Sequence, residues 1–183
     1  AAEYYWKGKH PAFAFFTAVP FGMTTIEWNA WIKYMGGQEL WDELSSGFGL
    51  KGLPVGATGT QMAGWFNKEL NSMDDLRGIK MRIPGLGGEV FQRAGGTAIT
   101  LPGGEIYTSL QTGVIDATEW VGPYNDLAFG LHQVAKYYYY PGWQEPGPTL
   151  EMIINKQAFD SLPKDLQEIV RISSRATNED MLA

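Results

Sequence analysis

Residues 79–123 limit what this chain can fold into more than any other stretch. They read IKMRIPGLGGEVFQRAGGTAITLPGGEIYTSLQTGVIDATEWVGP. A short apolar run carrying Arg82 is followed by a glycine-rich turn and a short helical pattern. A second apolar run at 98–101 leads into another helical pattern at 104–112. A third run, at 114–117, ends in Glu119-Trp120. Short strands alternating with helices predict an α/β fold with largely parallel strands. Arg82 and Glu119 then sit at strand ends, where open α/β sheets bind their ligands.

The flanking sequence supports the same class. Residues 12–19 (AFAFFTAV) form a continuous apolar run and predict a buried strand. Thr24-x-x-Glu27 matches a capping box and opens a helix whose stripe is Trp28, Trp31, Ile32 and Met35. A second helix is expected at 38–45, and a kinked strand with Gly52 and Pro54 at 48–55. Pro123 suits the first position of a helix over 124–134. Residues 137–140 are a run of four tyrosines, a strong strand signal. A strand at 149–154 and a short helix at 155–161 follow. In the last helix Leu166, Ile169, Val170 and Ser173 keep helical spacing. The segments 48–55 and 144–148 read as crossings between two lobes.

Composition removes several classes. The net charge of −6 argues against a broad nucleic-acid surface. Without cysteine there are no disulfides, thiolate metal sites or cysteine nucleophiles. No apolar run reaches the roughly 18–20 residues of a membrane span, and no signal-peptide pattern is present. Both ends read as cut, as in a fragment or a partly ordered chain. His10 and His132 lie far apart, no catalytic motif is found, and no catalytic residue is assigned. His10 reads as a turn residue and His132 as a residue late in a helix.

Arg82 is the sharpest candidate for binding chemistry. At the end of an alternating strand, a guanidinium can grip a carboxylate through two parallel hydrogen bonds, which lysine cannot do. The position also suits an arginine that is solvated or paired with an acid. Gly85-Leu86-Gly87-Gly88 fails the dinucleotide fingerprint because Val90 stands where the third glycine belongs. Its amides at a helix start offer at most a weak anion site; a tight turn is the other reading. Glu119, Gln61 and Glu145 supply oxygen donors, which suit an alkali or alkaline-earth cation rather than zinc or copper. On sequence alone, each of them is more often a surface or hinge hydrogen-bonding group.

Two motifs carry a family resemblance. Residues 76–82 give L-x-G-x-K-x-R, extended by Ile83-Pro84-Gly85, and residues 105–116 give E-x-Y-x-x-L-Q-x-G-x-I-D. With them the chain resembles the solute-binding proteins of tripartite ATP-independent periplasmic (TRAP) transporters, the DctP-like family. The stretches Tyr5-Trp6-x-Gly8-Lys9 to Gly22-Met23, Glu119 to Tyr124, and Tyr139-Tyr140-Pro141-Gly142-Trp143 are similar to the branch that binds 2-oxo acids and related monocarboxylates.

The resemblance implies a two-lobed, periplasmic-binding-protein-like α/β fold with crossing strands, here incomplete at both ends. Lobe I would gather 1–53 with 119–147, and lobe II 54–118 with 148–183. It implies a non-enzymatic, periplasmic protein that captures a small organic acid between its lobes and delivers it to membrane subunits, with a homodimer among the expected assemblies. Arg82 would clamp the substrate carboxylate. A bridging Na⁺ or Ca²⁺ would be held by the Gln61 and Glu119 side chains and the Trp120 carbonyl. Glu145 and Trp143 would stand at the hinge near the site, and Phe21, Trp120 and Trp143 would bound the substrate. Rival readings are a small-molecule enzyme using the same cleft and an aromatic-surfaced sugar-binding module.

Overall fold

In the computed structural model, residues 2–181 are described. The helices and strands follow in chain order as α1 (Thr25–Tyr34), α2 (Gly37–Ser46), β1 (Leu50–Ala57), β2 (Gly64–Phe66), β3 (Lys80–Arg82), α3 (Gly85–Arg93) and β4 (Thr97–Ile99). They continue as α4 (Ile106–Gln111), β5 (Ala117–Thr118), α5 (Pro123–Ala128), β6 (Tyr137–Tyr139), β7 (Thr149–Asn155), α6 (Lys156–Asp160) and α7 (Lys164–Asp180). The chain divides into two units. One comprises Ala1–Ala18, Gly22–Gly59 and Gly147–Ala183; the other comprises Val19–Phe21 and Thr60–Pro146.

The second unit holds a five-stranded sheet in the order β4-β3-β5-β2-β6. β3 runs parallel to β4 and β5, while β2 runs antiparallel to β5 and β6. The sheet is therefore mixed, where the alternating pattern predicted largely parallel strands. β2 alone is reversed: it runs against β5 and β6, which share the direction of β3 and β4.

Register sorts the side chains of this sheet onto two faces. Trp65, Thr118 and Arg82 are neighbours across β2, β5 and β3, as are Phe66, Ala117 and Met81. Alternation sends the two sets to opposite faces. Phe66, Met81 and Ala117 join Ile79, Ile83 and Phe91 in one apolar core. On the other side Ile106, Leu110, Ile115 and Leu131 form a second core, with Trp65 and Trp120 packed against it. Arg82 thus lies under a sealed face.

In the first unit β1 pairs antiparallel with β7, with a register irregularity between Pro54 and Gly56. Phe16, Trp28, Ile32 and Trp41 form its core, with Phe16 stacked on Trp41 at 5.5 Å.

β5 and β6 bond to β2 and so draw 119–146 to the same unit as 60–118, while the β1–β7 pairing draws 149–155 to β1. β1 lies wholly within one unit, and the chain passes between units at 18–19, 21–22, 59–60 and 146–147. The expected strand at 12–19 is a 3₁₀ helix, Pro11–Phe16. His10 caps it by accepting from Ala12 N–H at 3.2 Å, and Pro11 pre-sets its first turn. The helix expected over 124–134 ends at Ala128; Gly130 turns left-handed at φ 76°, and His132 falls in a separate 3₁₀ turn, Leu131–Gln133. In α7 the buried residues are Gln167, Ser174 and Asn178, whereas Leu166, Ile169 and Ile172 are exposed. Polar anchors orient that helix: Ser174 donates to the Pro54 carbonyl, and Gln167 to the Leu162 carbonyl at 2.9 Å.

Candidate functional site

The site is built where β3, β5 and the segment after β5 meet. Parallel pairing sets Arg82 beside Thr118, and Glu119 N–H donates to the Arg82 carbonyl at 3.3 Å. The two side chains that follow from this register are both removed from solvent: Arg82 is 1% and Glu119 0% exposed. Arg82 Nη1 donates to Glu119 Oε1 in a short charge-assisted contact and to the Glu119 carbonyl at 3.3 Å. Arg82 Nε donates to the Leu101 carbonyl at 3.2 Å. The guanidinium carbon also lies 5.7 Å from the Trp120 ring centroid, within cation–π range. Trp120 in turn stacks on Phe129 at 5.0 Å. Gly103 backs the same ring: a Cβ there would lie 2.7 Å from it, so the indole occupies space that only glycine leaves open.

Burial dominates the electrostatics. It pushes the Glu119 carboxyl up to about 7, with Arg82 pulling the other way and Asp126 adding a further upward push. Glu119 Oε2 is buried with no hydrogen-bond partner. An orphaned carboxylate oxygen calls for a donor or a cation.

Asp126, in the first turn of α5, fixes the exit of the site. Its Oδ1 accepts from the Val121 and Gly122 amides at 3.0 and 3.1 Å. Its Oδ2 accepts from Trp65 Nε1 at 3.0 Å and from the Tyr138 hydroxyl at 2.7 Å. Burial and this carboxylate push the Tyr138 phenol upward.

A second cluster adjoins through backbone pairing. Met62 N–H donates to the Val121 carbonyl at 3.0 Å, carrying the β2–β5 pairing one step beyond the sheet. Gln61, buried, donates its N–H to the Glu145 carbonyl at 3.1 Å and accepts from Gly142 N–H at 2.8 Å. Trp143 is half-buried and stacks on Phe21 at 5.9 Å; Phe21 N–H donates to the Trp143 carbonyl at 2.9 Å. Phe21 itself is 80% exposed, with φ at 56°.

A family model, DctP, described as bacterial extracellular solute-binding protein, family 7, matches residues 1–182. The chain belongs to this family. The monocarboxylate 2-oxoacid-binding periplasmic protein of Nostoc sp. (strain PCC 7120) is 50% identical over 181 residues, covering 99% of this chain and 50% of that protein. A TRAP periplasmic solute-binding protein of Pseudoalteromonas atlantica T6c, solved with bound sodium and pyruvate, is 50% identical with a TM-score of 0.96. It covers 99% of this chain and 55% of that one. A TRAP transporter solute-binding protein of Bordetella bronchiseptica RB50, a mixed-occupancy dimer with copurified calcium and picolinate, is 38% identical with a TM-score of 0.96. There the coverage is 99% of this chain and 54% of that one. The present chain therefore spans about half the length of these family 7 relatives.

Against that background the expected site residues fall into two groups within one unit. Arg82, Glu119 and Trp120 touch one another. Gln61, Glu145, Trp143 and Phe21 form the neighbouring group, joined to the first by the Met62–Val121 hydrogen bond. Among the described residues no group of three or more His, Cys, Asp or Glu is arranged to hold a metal ion. A Na⁺ or Ca²⁺ here would rely on a mixed oxygen set, and the orphaned Glu119 Oε2, with the Gln61 amide oxygen and a backbone carbonyl, fits such a hard cation.

Sequence reasoning missed Asp126, Trp65, Tyr138 and Gly103. Only Asp126 left a legible signal, an acid in the first turn after a proline at the first helical position. Gly87 and Gly88, read as a weak anion site or a turn, are used for close packing: a Cβ on Gly88 would meet the Ile83 carbonyl oxygen at 2.5 Å.

Proposed function

We propose that the protein captures a small monocarboxylate of the 2-oxo acid class outside the cytoplasm, in the periplasm, and hands it to the membrane subunits of a TRAP transporter. It does so without catalysis. The two units are the parts this chain contributes to two lobes. Arg82 holds the substrate carboxylate. Gln61, Glu119 and the Trp120 carbonyl hold Na⁺ or Ca²⁺, which supplies the positive charge that lets an anion sit beside Glu119. Trp120, Trp143, Phe21 and Glu145 bound the substrate, and a homodimer is the assembly suggested by the Bordetella relative.

The observation that carries this reading is the 50% identity to both the Nostoc 2-oxoacid-binding protein and the sodium- and pyruvate-bound Pseudoalteromonas protein. A buried arginine beside oxygen donors gives that likeness a chemical basis. Calorimetry of the purified protein with pyruvate in Na⁺ or Ca²⁺ buffer tests it. Stoichiometric heat with pyruvate recovered unchanged is expected. Turnover of the acid, or binding of a neutral sugar in its place, would overturn it. Arg82→Lys loses the two-pronged grip and is expected to weaken pyruvate binding by roughly 100-fold. The melting temperature should fall as well, because the buried contacts to Glu119 and the Leu101 carbonyl are loosened.

A further inference from the structure

Two parts of the proposed site are held by one short piece of chain. Arg82 Nε donates to the Leu101 carbonyl at 3.2 Å. Two residues later, Gly103 abuts the benzene edge of the Trp120 indole: a Cβ there would lie 2.7 Å from Cη2 and 2.9 Å from Cζ3. Pro102 stands between them at φ −58° and ψ 147°, and its ring stiffens the link. The guanidinium and the tip of the indole are thus referenced to the same three residues. We infer that Leu101-Pro102-Gly103 sets the gap between Arg82 and the Trp120 ring, and that Gly103 fixes the length of carboxylic acid the site accepts. This inference rests on the function proposed above, in which Arg82 holds the substrate carboxylate and Trp120 bounds the rest of the molecule.

Packing explains why the absence of one methyl group matters here. The indole has little room to withdraw inward. Phe129 stacks on it at 5.0 Å, and both rings pack against the core of Ile106, Leu110, Ile115 and Leu131. A close-packed core does not yield a methyl's volume freely. Trp120 is half-buried, so the side of the ring that can give way is the one turned from that core. Carbon atoms in ordinary contact lie about 3.5–4.0 Å apart, so a methyl on Gly103 would drive the ring edge outward by roughly 1 Å. Glycine is not required there for its backbone, since Gly103 is not among the residues with positive φ. Alanine fits the chain at this position, and the three atoms its Cβ would meet first all belong to the indole.

A methylene that meets or misses a pocket wall changes affinity by roughly 10-fold or more. A ring advanced by a methyl therefore costs a long acid more than a short one. Calorimetry with glyoxylate, pyruvate and 2-oxobutanoate in Na⁺ or Ca²⁺ buffer reads this difference. In Gly103→Ala the loss of affinity is expected to grow along the series, by roughly 10-fold between successive acids. Trp120→Phe removes the ring edge that Gly103 faces, and in that background Gly103→Ala should leave the series unchanged. A loss equal for all three acids, or one that persists in full in the Trp120→Phe background, would overturn the inference while the carboxylate-binding reading stands. Binding of no 2-oxo acid under any condition removes that reading and the inference with it. A second variant does not depend on Gly103→Ala folding. Pro102→Gly, at an exposed position, loosens the link without adding an atom. Preference among the three acids should then flatten by about 3-fold. An unchanged preference would equally overturn the role of the three residues.

Discussion

Asp126 shows how one side chain fixes a site it does not belong to. Four donors converge on its two oxygens, two from the backbone just after Trp120 and two from aromatic side chains of neighbouring strands. An ionised carboxylate is all acceptor and suits four donors; an amide is not. Asp126→Asn turns one oxygen into a donor facing donors, and the expected loss is about 2 kcal/mol in urea unfolding. Pyruvate affinity should fall as well, because the Trp120–Gly122 segment loses its tether. A different buried acid governs pH behaviour. Glu3 accepts from Trp41 Nε1 at 2.7 Å, and Trp6 Nε1 donates to the neighbouring Glu151 at 2.9 Å. Burial, then the hydrogen bond and charge of Glu151, push Glu3 from 4.5 up to about 9. The folded chain keeps a proton that the unfolded chain releases near 4.5. That stabilisation is complete below 4.5 and is lost as pH climbs toward 9. Calorimetric melting of this chain should therefore fall between pH 5 and pH 9, and Glu3→Gln should flatten the slope.

Helix α3 is held against its own strand by absent side chains. Gly88 lets the first turn of α3 close on the Ile83 carbonyl, and Gly87 lets it approach Gln144. Gly88→Ala forces a Cβ into backbone, which moves less readily than a side chain. The expected cost is about 1–3 kcal/mol, read from denaturant unfolding. Helix α7 illustrates the opposite case. Its apolar positions at 166, 169 and 172 keep helical spacing yet face outward, while Ser174 and Asn178 bond inward to the Pro54 carbonyl and the Asn29 side chain. Periodicity found the helix but not the face it covers, which follows the inward hydrogen bonds of Ser174 and Asn178 rather than the apolar stripe.

The unit that carries the candidate site is almost continuous in sequence, with only Val19–Phe21 drawn from elsewhere. It has its own five-stranded sheet and two apolar cores. A fragment of residues 60–146 should consequently fold alone, with a cooperative melt by circular dichroism and dispersed tryptophan and tyrosine signals. A featureless melt would show that the remaining segments are required. The other unit is assembled from three separate segments around a two-stranded sheet, and such a pairing is marginal without the helices packed on it.

Much of this was legible before any coordinates. The α/β class, the capping box at Thr24 and Glu27 and the strand ending at Arg82 follow from local periodicity and turn chemistry, and the two motifs carry the family resemblance. Short-range physics acts within a few residues, so a sequence displays it directly. The mixed sheet, the grouping of 119–146 with 60–118, the rotation of α7 and the four-donor hold on Asp126 depend on partners many residues away. The same holds for Arg82. Spacing could name it as an anion clamp or as an arginine paired with an acid. Strand register then set it against Glu119, 37 residues later, because parallel pairing of β3 with β5 places Arg82 beside Thr118, the residue just before Glu119.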